Sequence, residues 1–245
     1  MFPLYDENPH FLTPVTTVAI IAANALTWAF VQHLGQGNGF ESSVCLLGLV
    51  PGELLQRLPP GTPVPGLRCV TTAHPAWHTL VTSMFLHGGW MHLIGNMWFL
   101  WIFGNNVEDS MGHARFLVFY LLCGLAAAGL QVALDASSAL PMVGASGAIG
   151  GVMGAYIVLY PRVRIHTGVF LGFYFSRFSV PAVVMLGYWF LLQLLGGASS
   201  FGRAGGGVAF WAHVGGFVAG AALVTIFRDD ELLARHPIQG FVRRG

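Results

Sequence analysis

Val143-Gly144-Ala145-Ser146-Gly147-Ala148-Ile149-Gly150-Gly151 opens an apolar segment that must lie in a membrane, and the rest of the chain is organised around it. A serine in a glycine-rich stretch, at the head of a buried helix, has few structural excuses. Gly144 and Ala145 leave room for a bent backbone to approach another group closely. Ser146 then sits where a helix begins, beside unpaired N–H groups and the positive end of the helix dipole. Such a place can stabilise an oxyanion. The plain alternative makes Ser146 an N-cap and the glycines a packing ridge.

Composition places the segment in its setting. Of 245 residues, 55% are hydrophobic and only 9% are charged, against about 25% charged in a soluble domain. This is the composition of a polytopic membrane protein. The 33 glycines suit helices that pack closely through small residues. Net charge is +1, which points away from nucleic acid, and every fixed positive side chain is an arginine. Residues 1–13 lack the basic-then-apolar layout of a cleaved signal peptide.

Apolar stretches fall at 14–34, 85–104, 116–134, 146–160, 180–196 and 208–227, and the eleven arginines and ten acidic residues all lie between or outside them. Each is near the roughly 20 residues a spanning helix needs, the fourth being shorter. The expected fold is an all-α bundle of six transmembrane helices in a single membrane domain over 1–245, with a long outer first loop and no soluble domain. The apolar run His166 to Phe175 is too short to span and reads as part of a re-entrant or interfacial loop. Arg115, Arg162, Arg164, Arg177, Arg228, Arg235, Arg243 and Arg244 fall on the side of both termini, and Arg57, Arg68 and Arg203 on the other. Positive charge marks the cytoplasmic face, so both termini are expected there. Cys45 and Cys69 share the outer loop, where a disulfide can form, though sequence leaves its geometry open. Cys123 reads as a small core residue.

Polar side chains in lipid are costly and default to function or buried networks. The set is small: His87, His92, Asn96, Gln131, Ser146, Gln193 and His213. Asn24 and Gln193 read as interhelical hydrogen-bond partners. Helix 4 spans only about 22 Å, against a hydrocarbon core of about 30 Å. Pro161 and Arg162 mark its cytoplasmic end, so Ser146 should lie roughly 8 Å below the outer surface. His213 and His92 fall at comparable depth, and Asn96 shares a face with His92 at i, i+4. Serine and histidine are the minimum pair for nucleophilic catalysis, and histidine with asparagine can donate to an oxyanion. No intramembrane carboxylate is available to orient His213, so the reading is a dyad. Metal binding is not expected: His87 and His92 are i, i+5 and HExxH is absent. The G-x-S-x-G elbow also fails at Ala148.

With these groups in place, the chain resembles the rhomboid family of intramembrane serine proteases. The resemblance rests on Trp77 with Thr82-Ser83-Met84-Phe85-Leu86-His87-Gly88-Gly89-Trp90, on His92-Leu93-Ile94-Gly95-Asn96, and on Gly104 through Glu108 to Gly112. Gly144-Ala145-Ser146-Gly147 and Ala212-His213-Val214-Gly215-Gly216 with Gly220 complete it. It implies Ser146 as nucleophile and His213 as general base and acid, with an oxyanion hole from His92, Asn96 and the Ser146 N–H. It implies no cofactor. The partners it implies are the lipid bilayer and single-span transmembrane substrates, cut near the outer membrane face. Gly147, Gly151, Gly154, Gly216 and Gly220 would let helices 4 and 6 pack closely, and His87 would hold the first loop by hydrogen bonds. The implied entrance lies between helices 2 and 5. From the residues, helix 5 is bounded by loops at Pro181 and Gly196-Gly197, and some of Trp98 and Trp101 on helix 2 must meet lipid or helix 5, a contact that Trp98→Ala or Phe190→Ala would weaken. The family's Trp-Arg pair is Trp77-His78 here, and Gly150 stands where some members stack an aromatic on the histidine. The composition suits a bacterial inner membrane. The alternatives are a non-catalytic rhomboid-like client binder and a transporter with a polar midplane site.

Overall fold

The computed structural model describes residues 2–171, 174–200 and 208–237. Residues 201–207, glycine-rich and with Arg203, and Arg243 and Arg244 lie outside them, while Ser199 and Ser200 of the expected Gly- and Ser-rich loop belong to a helix. The chain is a mostly helical membrane bundle. Strand β1 (Phe2–Asp6) precedes α1 (Val15–Leu26), which continues through a π turn (Thr27–Val31). The long first connection contains α2 (Gly37–Leu47), α3 (Pro51–Leu54) and α4 (Thr79–Thr82). Then come α5 (Trp90–Met111), α6 (His113–Leu134), α7 (Ser146–Leu159), strands β2 (Arg164–Leu171) and β3 (Tyr174–Pro181), α8 (Ala182–Ser200), α9 (Phe210–Phe227) and α10 (Asp230–Arg235). Among the described residues, α6, α8 and α9 are long and apolar enough to cross a membrane. Val15–Val31 and α7 are shorter apolar helices.

The expected second span runs on past residue 104 to Met111 because its polar end is buried rather than solvated. Asn106, Glu108, Asp109 and Ser110 are all fully buried in its last turns. Glu108 accepts the backbone N–H groups of Thr16 and Thr17, each at 2.8 Å, and the Thr17 hydroxyl at 2.7 Å. These are first-turn donors of α1 that have no intrahelical partner, so Glu108 acts as a cap supplied from another helix. Asp109 accepts Phe11 N–H and Leu12 N–H at 2.7 and 3.0 Å.

The run expected to be a re-entrant or interfacial loop is instead a β-hairpin. β1, β2 and β3 form an antiparallel sheet in that order, with Tyr5 opposite His166 and His166 opposite Ser179. Val163, Ile165 and Thr167 are buried at alternate positions, the period-2 pattern of a half-covered strand. Ring stacking of Tyr5 on His166, centroids 4.3 Å apart, ties the N-terminus to the hairpin.

Close packing of α7 on α9 depends on glycine. A methyl group on Gly216 would lie 1.9 Å from Gly147 O, one on Gly220 1.9 Å from Gly151 O, and one on Gly154 2.0 Å from Phe217 O. No side chain fits, so the backbones touch. The long connection is tied down at two points. Cys45 and Cys69 form a disulfide, Cα atoms 6.1 Å apart, and Leu49 pairs with Met142 through two backbone hydrogen bonds of 2.7 and 3.0 Å. Cys123 is free and buried in the core.

Candidate active site

Close approach of α7 to α9 brings their first turns together. Ser146 is the first residue of α7, and its N-cap is Ala145, with no side-chain cap bond. The hydroxyl is therefore not used as a helix cap. Ser146 Oγ lies 2.8 Å from His213 Nε2. His213 in turn sits in the first turn of α9, where Ala212 N–H donates to Gln131 Oε1 at 3.2 Å. Gln131 thus shares a first-turn N–H of α9 that also reaches Ala209 O at 3.1 Å.

Gly144 precedes the serine with φ +129°, a conformation L side chains rarely adopt. A Cβ there would come within 2.8 Å of His92 Cε1 and Nε2 and within 3.5 Å of Ser146 Oγ. The missing Cβ leaves room for the His92 ring edge beside the bend that leads into Ser146. Its own N–H donates to Ser83 O at 2.9 Å, which fixes the bend. Gly88 N–H donates to His92 Nδ1 at 3.2 Å. Nδ1 must then be the acceptor, so in the neutral ring the proton is on Nε2, the edge beside Gly144. Asn96 is buried on the same helix, and its Nδ2 has no hydrogen-bond partner. An unpaired buried donor is costly in an ordinary core. Here Gly88, His92, Asn96, Ser146, Trp189 and His213 line one cavity of 1260 Å³.

The arrangement can lower the barrier to hydroxyl attack by giving Ser146 a proton acceptor, and it offers donors to a developing oxyanion. Among the described residues there is no cluster of His, Cys, Asp and Glu able to hold a metal.

Gln193 is the interhelical hydrogen-bond partner its sequence suggests, and its partner is a candidate site residue: its Oε1 on α8 lies 2.8 Å from His213 Nδ1 on α9. Other expectations do change. Asn24 bonds Ile20 O within its own helix rather than a neighbour. His87 holds the first loop as expected, but chiefly through its backbone rather than its ring, exchanging two 2.8 Å hydrogen bonds with the Gln32 side chain at the end of α1. Trp98 faces β1: its Nε1–H donates to Pro3 O at 2.7 Å and its ring stacks on Phe2. Phe190 stacks on Phe217 of α9, centroids 4.6 Å apart. Trp98 and Trp101 are 39% and 47% exposed, in keeping with the lipid contact the sequence allowed. Gly196 and Gly197 do not end α8; Phe210 and Trp211 pack over them. The ring over His213 comes from Trp189, centroids 5.7 Å apart, in place of a side chain at Gly150. His78 Nε2 lies 3.0 Å from Leu46 O, so it ties α4 to α2.

An integral membrane bundle with a serine–histidine pair at adjoining helix starts narrows the class, and the comparisons supply the family. The rhomboid domain matches residues 74–230, and the chain belongs to the rhomboid family. It is 30% identical over 174 residues to RHOMBOID-like protein 5 of Arabidopsis thaliana, covering 63% of this chain and 56% of the relative. It is 35% identical over 153 residues to Rhomboid protease GluP of Bacillus subtilis (strain 168), covering 62% of this chain and 27% of GluP. Rhomboid protein 1, mitochondrial, of Saccharomyces cerevisiae is 29% identical over 148 residues, covering 58% of this chain and 39% of the yeast protein. The matched stretch thus spans about half or less of these relatives.

Proposed function

We propose that this chain is a serine endopeptidase that cuts transmembrane proteins within the bilayer. The observation carrying the proposal is the 2.8 Å contact between Ser146 Oγ and His213 Nε2 at the wall of the cavity. In this reading His213 takes the Ser146 proton as Oγ attacks the scissile carbonyl, then returns it to the leaving amine. The Ser146 N–H, His92 Nε2–H and Asn96 Nδ2 hold the oxyanion. Their value lies in being fixed before the reaction. Six spans with cytoplasmic termini, a bacterial inner membrane, and single-span substrates cut near the outer face complete the proposal. The short α7 supports it, since a helix of that length starts below the surface from which hydrolytic water must enter.

The test is labelling by a fluorophosphonate probe in detergent, with Ser146→Ala as control. Labelling lost in Ser146→Ala is expected. A folded wild-type chain that neither labels nor cuts would favour the client-binding alternative.

A further inference from the structure

We infer that Gln193 is a positioning residue for His213, and that through it the competence of the Ser146–His213 pair depends on the seating of α8. The inference rests on the protease reading and assigns a role to a side chain outside the reacting pair.

A neutral imidazole has one N–H and one acceptor nitrogen, so its two partners must be of opposite kind. The orientation of the Gln193 amide follows from its own bonds. Its Nε2 donates to Trp189 O, one turn back, at 3.2 Å, which leaves Oε1 toward His213 Nδ1 at 2.8 Å. An oxygen acceptor facing Nδ1 requires the proton there. Nε2 is then the acceptor, turned to the Ser146 hydroxyl at 2.8 Å. That is the tautomer a general base needs. In the other tautomer a bare Nδ1 would face the amide oxygen, and Nε2–H would point at Oγ. Gln193 is 8% exposed, and a neutral amide orients the ring there without the cost of a carboxylate in the membrane.

Trp189 and Gln193 are i, i+4 on α8 and so share a face. One lies over the imidazole and the other fixes its proton. α7 offers no substitute, since a Cβ on Gly150 would already be 3.0 Å from His213 O. Farther along, Phe190 stacks on Phe217, and Gly196 and Gly197 receive Phe210 and Trp211. α8 is therefore seated on α9 by the same contacts that bring Gln193 to His213. Lifting it would remove both holds on the ring.

The experiment uses the full chain in detergent with a small soluble ester, which needs no lateral entry, and 15N NMR of the histidine side chains. Wild-type His213 should show the Nδ1–H tautomer; an Nε2–H tautomer would overturn the inference without recourse to any variant. Gln193→Leu and Gln193→Met should lower kcat by at least about 10-fold, leave KM within about twofold, and give mixed tautomers. Folded variants with wild-type kcat and tautomer would overturn it. Phe190→Ala, which loosens α8, should move the tautomer signal and ester turnover in the same direction. A Phe190→Ala chain with intact tautomer and unchanged or raised ester turnover would remove the dependence on α8. Absence of Ser146 labelling in wild type is a separate result, counting against the protease reading, because the tautomer is measured without turnover.

Discussion

The two ends of the bundle bury similar polar side chains and use them differently. At the end holding β1, Glu108 takes four donors, from Thr16, from Thr17 twice and from His113 at 2.5 Å. Asp6 accepts from Asn106 at 3.0 Å and from the Tyr156 hydroxyl. At the Ser146 end, Asn96 Nδ2 and both His87 ring nitrogens are left without partners, and a cavity lies beside Asn96. A carboxylate filled on every side is a staple, because any movement costs several charge-assisted hydrogen bonds at once. A buried donor left open beside a cavity still has a hydrogen bond to give, which is what the proposed oxyanion role of Asn96 requires. Neither residue type nor spare hydrogen-bonding capacity alone separates the two cases, since Asn8 and Asn106 Oδ1 at the β1 end also lack partners; the cavity beside Asn96 does.

The largest effect should come from the open end. Ser146→Ala and His213→Ala should each reduce cleavage to background with the thermal midpoint little changed. The double variant should be no worse than either single one, because the groups act as a unit. Turnover retained in both singles but lost in the double would break the comparison. Asn96→Ala should lower kcat by roughly 10²–10³ if its amide is a principal oxyanion donor, while leaving stability nearly unchanged since its Nδ2 gives up no bond.

The filled end should respond in the opposite way. Glu108→Ala should destabilise the protein by about 3 kcal/mol, as hydrogen bonds to a charged group are each worth about 1.5–3 kcal/mol. Titration with a denaturing detergent reads this, and kcat per folded molecule should stay close to wild type. A Glu108→Ala chain with normal stability and lost turnover would place function at the wrong end. The smallest effect is a pH dependence at Asp6. Burial raises its carboxyl from 3.8 to about 6, against the lowering by the Tyr156 hydroxyl. The folded state therefore binds more protons than the unfolded one between those values, and stability falls as pH rises through that window. Asp6→Asn should flatten the thermal midpoint between about pH 4 and 6 and raise it at pH 7. A steeper slope in the variant would reverse the sign of the argument.

Much of this was readable from residues alone. The membrane setting, the apolar stretches and the pairing of Ser146 with His213 follow from a sequence in which charges are excluded from long apolar runs and few polar groups remain inside them. The glycines of α7 and α9 announced a close helix pair, because only a missing Cβ allows backbone contact. What the tertiary structure decided was direction. Gln193 and Asn24 look alike as isolated amides in apolar helices, yet one turns to His213 and the other to its own backbone. Trp98 and Phe190 are both bulky and apolar in character, but their partners, Pro3 and Phe217, lie 95 and 27 residues away. The β2–β3 hairpin had its alternation in plain view at Val163, Ile165 and Thr167, but its partner strand β1 lies at the other end of the chain. Periodicity and polarity are local properties; which lone pair meets which proton is set by helices that are distant in sequence and adjacent in space.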